Sequence, residues 1–260
     1  MSDLWTQCQG RHLVRTLNTE AYRVVESQHR SATRKLVDTL EEHELLEALI
    51  EKSKPIIPPD QTFEKLHYLL FTPFRYPPLR HGSRFGSLSE RALWYGSIEL
   101  ETALAEVAFY RFFFLLGSAA STELLETDQI IEVELTSFMV KIHTLKGIDL
   151  TLPPFVKHKD EISSPVSYAV SQKLGSELRE NGIDAFLYYS ARRQNDAINL
   201  ALLSPTAFKD RAPKKNSYLT WLCITTKKTV EFSLKSYQTQ KNLRFDLEDF
   251  LVDQKFPVPG

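Results

Sequence analysis

The chemistry-bearing side chains gather between residues 74 and 111, FRYPPLRHGSRFGSLSERALWYGSIELETALAEVAFYR. A Pro-rich turn presents Arg75, Arg80 and Arg84. A short strand-like run holds Tyr95, and Glu106 is set into an otherwise apolar helical segment. Far downstream, Ser190 opens a polar turn, Ser190-Ala-Arg-Arg-Gln-Asn-Asp196. Arginine's planar fork makes two parallel hydrogen bonds to phosphate oxygens. A carboxylate in apolar surroundings stabilises a cation that develops during reaction. Together these groups suit an anionic substrate and a ribosyl-type cation, the species met in glycosidic cleavage. A leaving group that is already cationic departs neutral, so one carboxylate suffices and no second carboxyl must protonate it. Tyr95 adds a ring to pack on a nucleotide base and a hydroxyl. Taken singly, each residue also has a structural explanation: Arg84 paired with a surface acid, Glu106 neutralised by a buried arginine, Tyr95 as a strand residue, Ser190 closing a turn.

Composition narrows the field. With 260 residues, 42% hydrophobic and a formal net charge of -1, the chain reads as a globular protein with room for a sizeable core. Near-neutral charge argues against direct nucleic-acid binding. No apolar run is long enough to span a membrane, and the N-terminus lacks the apolar core of a signal peptide. Cys8 and Cys223 make neither a disulfide framework nor a zinc site, so a cytoplasmic protein with reduced thiols is expected. Neither GxGxxG nor GxxxxGK[ST] is present, nor HExxH or GxSxG. No metal site is expected.

The elements that must position these groups follow from periodicity. Residues 20 to 53 predict a helix, with Leu36, Leu40, Leu45, Leu46, Leu49 and Ile50 recurring at three- to four-residue intervals and acids between them. Its stripe is expected to pack on the chain's own core. Lys54-Pro-Ile-Ile-Pro-Pro59 ends it. Leu66–Phe71 predicts a strand, and Pro73, Pro77 and Pro78 irregular chain. A helix from about Glu99 to Gly117, apolar nearly all round, predicts burial. Residues 130–135 and 138–143 predict two strands, 149–164 a loop, and 168–181 a helix stopped by Asn181-Gly182. Strands at 185–189 and 198–203 and a hairpin at 218–234 follow, with an amphipathic tail from Asn242. Strands and helices intermix without strict alternation, which predicts an α+β class.

The order Arg84-Phe-Gly, then Tyr95-x-Ser, then Ala103-Leu-Ala-Glu106-Val, with Ser190 in Phe186-Leu-Tyr-Tyr-Ser190-Ala-Arg192, resembles the RES domain, a family named for an Arg, a Glu and a Ser. The similarity runs from Tyr22-Arg23 to about Pro205. It implies a single domain over 1–260, with an inserted helical stretch at about 27–65 and a C-terminal extension after about 207. The implied fold resembles ADP-ribosyltransferases, with a curved, mixed, mostly antiparallel sheet flanked by helices. The implied activity is a toxin's destruction of NAD by phosphorolysis, giving nicotinamide and ADP-ribose 1''-phosphate. NAD would be the substrate, inorganic phosphate the co-substrate, and nothing a cofactor. The implied partner is a cognate antitoxin of Xre-like helix-turn-helix type. By the resemblance, Arg84 would bind phosphate groups, Tyr95 line the nicotinamide–ribose pocket, Glu106 stabilise the cation, and Ser190 position the ribose or the attacking phosphate. Asn199 is a further candidate on the adjacent strand. The family's early arginine after an aromatic is matched by Arg23, with Arg75 competing. Two other readings stay open: a protein mono-ADP-ribosyltransferase using the same cleft, and a non-enzymatic interaction module binding through the acidic helix from about 32 to 50.

Overall fold

A computed structural model describes residues 3–27, 36–55, 61–78, 82–117, 130–193, 195–236 and 238–258. Arg80 and the start of the expected acidic helix lie outside them. Along the chain run α1 (Leu4–Gln7), β1 (Arg15–Glu26), α2 (Leu40–Ser53), α3 (Gln61–Glu64), α4 (Tyr68–Arg75), β2 (Trp94–Ser97), α5 (Leu100–Gly117) and β3 (Ile131–Asp149). Next come α6 (Lys159–Ile162), α7 (Ala169–Glu180), β4 (Ala185–Tyr189), β5 (Ile198–Leu202), β6 (Leu219–Thr225), β7 (Thr229–Leu234) and β8 (Asn242–Asp246).

The strands make one eight-stranded sheet in the order β1-β2-β5-β4-β3-β6-β7-β8, and β1 also pairs with β3. The first five strands therefore close a ring of pairings, which forces the sheet to curve, while β6, β7 and β8 extend it from β3. The β3–β4 pairing is parallel and the others are antiparallel. This is the expected α+β class with a mixed, mostly antiparallel sheet. Helices flank it. α7 packs in one apolar cluster with Leu150, Phe155, Phe186 and Tyr188. α4 joins a second around Trp94, Phe138 and Phe208. α5 covers a third around Trp221 and Phe232, under Phe250.

Several local expectations are corrected. Residues 15–26 form a strand, because tertiary pairing along β3 from Arg15↔Gly147 to Glu26↔Leu135 decides the matter and suits Thr16, Thr19, Tyr22, Val24 and Val25. Among the described residues of the predicted helix, the α-helical ones are Leu40–Ser53, opened by a Thr39/Glu42 capping box. It buries no residue fully, and Leu45 and Leu49 lie exposed. Periodicity reveals a stripe but not the surface that meets it. The stretch around Leu69 is helical and α4 runs through Pro73, since a short apolar run does not distinguish helix from strand. The two strands expected at 130–143 are one. Thr136 and Ser137 do not interrupt it, because Thr136 bonds Ser27 at 2.8 Å and Ser137 accepts from the Trp221 indole N–H at 3.0 Å. The expected loop after Asp149 holds short helical turns at Phe155–His158 and α6.

The N-terminal helix is anchored by a buried carboxylate. Glu177 Oε2 accepts the Trp5 N–H at 3.2 Å, while its Oε1 is buried without a partner. Burial holds the Glu177 carboxyl above its ordinary pKa. The folded protein thus binds this proton more tightly than the unfolded chain. The stability it confers is full below the ordinary carboxylate range and is lost as pH rises through the raised folded value. Glu177→Gln keeps an acceptor for Trp5 and removes the charge. Its Tm is expected to gain on wild type as pH rises from about 4 to 7. A thermal-denaturation series in which the gap stays constant would contradict this.

Candidate active site

Glu106 projects from α5 toward the β4–β5 hairpin. Its Oε1 accepts two hydrogen bonds, from Ser190 Oγ at 2.7 Å and from Asn199 Nδ2 at 2.6 Å. Ser190 lies at the hairpin mouth, where its N–H bonds the Ala197 carbonyl at 2.7 Å and its Oγ accepts the Arg192 N–H at 3.1 Å. The turn that follows is held to the start of α5 by Arg193, which bonds Glu99 at 2.8 Å and Glu101 at 2.9 Å. Asn199 on β5 stands opposite Ser97 on β2 and Tyr188 on β4, and Ser97 in turn faces Tyr22 on β1. Ser97 Oγ donates to Asn199 Oδ1 at 2.6 Å. Among the described residues no cation pairs with Glu106. A carboxylate merely neutralised by a buried arginine would show such a pair.

Three guanidiniums border its cavity; that of Arg111 is paired with Glu26 at 2.8 Å, and the other two belong to Arg84 and Arg23. Arg84 sits in a tight turn whose ends, Ser83 and Gly86, exchange backbone bonds of 2.8 and 3.3 Å. Its Nη1 donates to the Ser164 carbonyl at 2.7 Å, and its guanidinium lies 4.8 Å from the centre of the Tyr168 ring. Arg23 lies 5.2 Å from the centre of the Trp94 ring. It is half-buried overall, yet its Nη1 is fully buried and without a partner. Burial lowers its pKa to about 10, so it remains a cation at neutral pH. Neither arginine makes an ion pair among the described residues. Arg75 is placed differently from the sequence expectation. Its Nε bonds the Pro55 carbonyl at 2.5 Å and its Nη1 pairs with Glu51 at 3.2 Å. It braces α4 against α2 and does not line the cavity.

The cavity measures about 550 Å³ and is bordered by Arg23, Arg84, Tyr95, Ser97, Glu106 and Asn199, with further tyrosines at positions 22, 110, 168 and 188. That volume falls within the range of about 300–1,000 Å³ usual for small-molecule sites. The Tyr95 hydroxyl accepts the Phe85 N–H at 3.1 Å and bonds Ser83 Oγ at 2.9 Å. Burial pushes its pKa up to about 12. Burial, with the nearby Glu106 carboxylate, also holds the Tyr188 phenol well above its ordinary value. Both rings therefore present neutral hydroxyls. Behind Glu106, Arg192 stacks 3.4 Å from the centre of the Phe109 ring and donates to the Pro165 carbonyl at 3.0 Å. Its pKa is lowered by burial.

The family model of the RES domain matches residues 59–222, well over half of the chain. The chain belongs to the RES domain family. No curated protein matches its sequence significantly. Among solved structures, the crystal structure of the M. tuberculosis MbcT–MbcA toxin–antitoxin complex is similar at 13% identity and a TM-score of 0.43, over 93% of this chain and 90% of that one.

The matched RES segment carries Arg84, Tyr95, Glu106, Ser190 and Asn199, whereas Arg23 reaches the cavity from β1, outside it. Sequence reasoning gave no role to Tyr22, Ser97, Tyr110, Tyr168, Tyr188 or Arg192. Tyr110 carried a usable signal, since it lies four residues beyond Glu106 and so on the same helix face. Its helix is not buried all round: Tyr110 and Phe114 are 49% and 69% exposed and border the cavity. Ser97, Tyr188 and Arg192 each lie two residues from a named candidate, Tyr95 or Ser190, whereas Tyr22 and Tyr168 come from a separate strand and loop.

The Arg84 turn is seated on α7 through a glycine. A Cβ on Gly175 would stand 2.0 Å from the Phe85 carbonyl oxygen and 2.7 Å from its carbon. Gly175→Ala is therefore expected to displace the turn and destabilise the domain by roughly 1–3 kcal/mol. Thermal denaturation with the Arg84 and Phe85 amide resonances checks this; an unshifted Tm and unshifted resonances would contradict it.

Proposed function

We propose that this RES domain cleaves the nicotinamide–ribose bond of NAD by phosphorolysis, as a toxin-like enzyme. The observation that carries the reading is that opposite charges border one cavity without pairing, among the described residues. Glu106 has two neutral donors on one oxygen and no cation among the described residues, while Arg23 and Arg84 border the same space without an acid partner.

The step balances without a second carboxyl. A phosphate oxygen bonds to the anomeric carbon of the nicotinamide ribose as the C–N bond breaks. The bonding pair returns to the pyridinium nitrogen, and nicotinamide leaves neutral. Positive charge moves from the ring to the ribose, where the fixed carboxylate of Glu106 stabilises it more in the transition state than in the ground state. Arg84 and Arg23 supply forks for the diphosphate and the incoming phosphate. Tyr95, neutral and half-buried, offers a ring face to the nicotinamide. Ser190 and Asn199 hold the carboxylate in place, and the reaction needs no cofactor. The family resemblance extends the proposal to a partner, a cognate antitoxin protein of helix-turn-helix type.

Purified protein incubated with NAD and inorganic phosphate is expected to release nicotinamide together with a phosphorylated ADP-ribose, read by phosphorus NMR. Glu106→Gln should lower kcat by about 10²–10³-fold, the usual cost of removing an electrostatic stabiliser. Free ADP-ribose formed without phosphate would make the enzyme a hydrolase. Label transferred to a macromolecule would make it a protein ADP-ribosyltransferase. No turnover by folded protein would favour an interaction module.

A further inference from the structure

We propose that Ser97 is a positioning residue that fixes the side-chain amide of Asn199 with its nitrogen, not its oxygen, toward Glu106. The inference rests on the reading of Glu106 as the charge-stabilising group and deepens it.

The two ends of an asparagine amide are alike in size, but one donates and the other accepts. A carboxylate only accepts, so the 2.6 Å contact with Glu106 Oε1 requires Nδ2 there. Oδ1 is then left to find another partner, in a residue that is only 2% exposed. The Ser97 hydroxyl meets it at 2.6 Å. Ser97 is itself 2% exposed, and it stands directly opposite Asn199 in the β2–β5 register. Its neighbour Gly96 is packed against the Trp94 ring and the Tyr22 carbonyl, at 2.6 and 2.8 Å from an added Cβ. The backbone that carries the hydroxyl is thereby fixed. Each hydroxyl donates one proton, and the proton of Ser97 goes to Oδ1.

The other donor on Glu106 is secured differently. Ser190 Oγ accepts the Arg192 backbone N–H and so turns its own proton to the carboxylate. One donor is thus set by backbone and the other by a single side-chain hydroxyl. Without that hydroxyl, Oδ1 is buried and unsatisfied. The amide then keeps only its bond to the carboxylate, and its orientation is no longer held from both ends.

The test is a set of variants assayed for NAD turnover. Ser97→Ala is expected to lower kcat by about tenfold with KM changed less than about twofold, the pattern of an interaction realised in the transition state. Ser97→Thr restores a hydroxyl and should recover most of the loss. In an Asn199→Ala background, Ser97→Ala should cost nothing more, because its effect passes through that amide. Additive losses, failure of threonine to rescue, or a change confined to KM would overturn the proposal. A readout without substrate accompanies it. The Asn199 side-chain NH₂ protons, assigned by their loss in Asn199→Ala, should exchange slowly in wild type and Ser97→Thr and fast in Ser97→Ala. Equal exchange in all three would overturn the role of Ser97. Absence of NAD turnover by wild type would sink the reaction instead, and the exchange comparison would still decide Ser97.

Discussion

A carboxylate that no cation touches among the described residues has to be held by neutral donors, and the candidate site of this RES domain is built around that constraint. Glu106 lies between a helix and a sheet, where an ion pair would cancel its charge. Hydrogen bonds from Ser190 and Asn199 to one oxygen hold it without one. They come from the two sides of one hairpin, Ser190 just beyond β4 and Asn199 on β5, so the position of Glu106 depends on how α5 is docked against that hairpin. Arg193 makes that docking rigid by gripping Glu99 and Glu101 at the first turn of α5.

The cations are kept apart from that carboxylate by equally specific means. Arg192 feels the charge of Glu106, yet its guanidinium sits over the Phe109 ring, 3.4 Å from its centre, and donates to a backbone carbonyl. Arg84 is held on Tyr168 and the Ser164 carbonyl, and Arg23 over Trp94. Aromatic faces and carbonyls stabilise a guanidinium without cancelling its charge. Positive and negative groups therefore share one cavity without collapsing onto each other, and this separation lets a ligand that carries both signs fit between them. The buried, unpartnered Nη1 of Arg23 belongs to the same pattern, since an unsatisfied buried donor costs stability that a bound acceptor would return.

The closed ring of β1, β2, β5, β4 and β3 supplies the geometry. One register row crosses four of its strands and sets Tyr22, Ser97, Asn199 and Tyr188 side by side. β3 pairs with β1 along one side and with β6 and β4 on the other, so its length joins the ring to the β6–β8 extension. α5 lies against both parts and brings Glu106 to the row.

The sequence alone determined the class of fold, the family, and a minority of the residues that border the cavity, Arg23, Arg84, Tyr95, Glu106 and Asn199, because those rest on short local patterns. Arg84-Phe-Gly, Tyr95-x-Ser, the carboxylate in an apolar helix and the strand-turn-strand around Ser190 are each read within a few residues. Tertiary structure decided what depends on distant partners. Residues 15–26 became a strand because β3 lies beside them. Arg23 reached the cavity, and Arg75 did not, because α4 turns Arg75 onto Glu51. The amphipathic stripe of α2 was legible, but the surface it would meet was not, and it stands largely exposed. Whether Glu106 was paired or free lay equally beyond the sequence: charge pairing is a matter of ångströms between elements far apart in the chain, and only the packed structure fixes those distances.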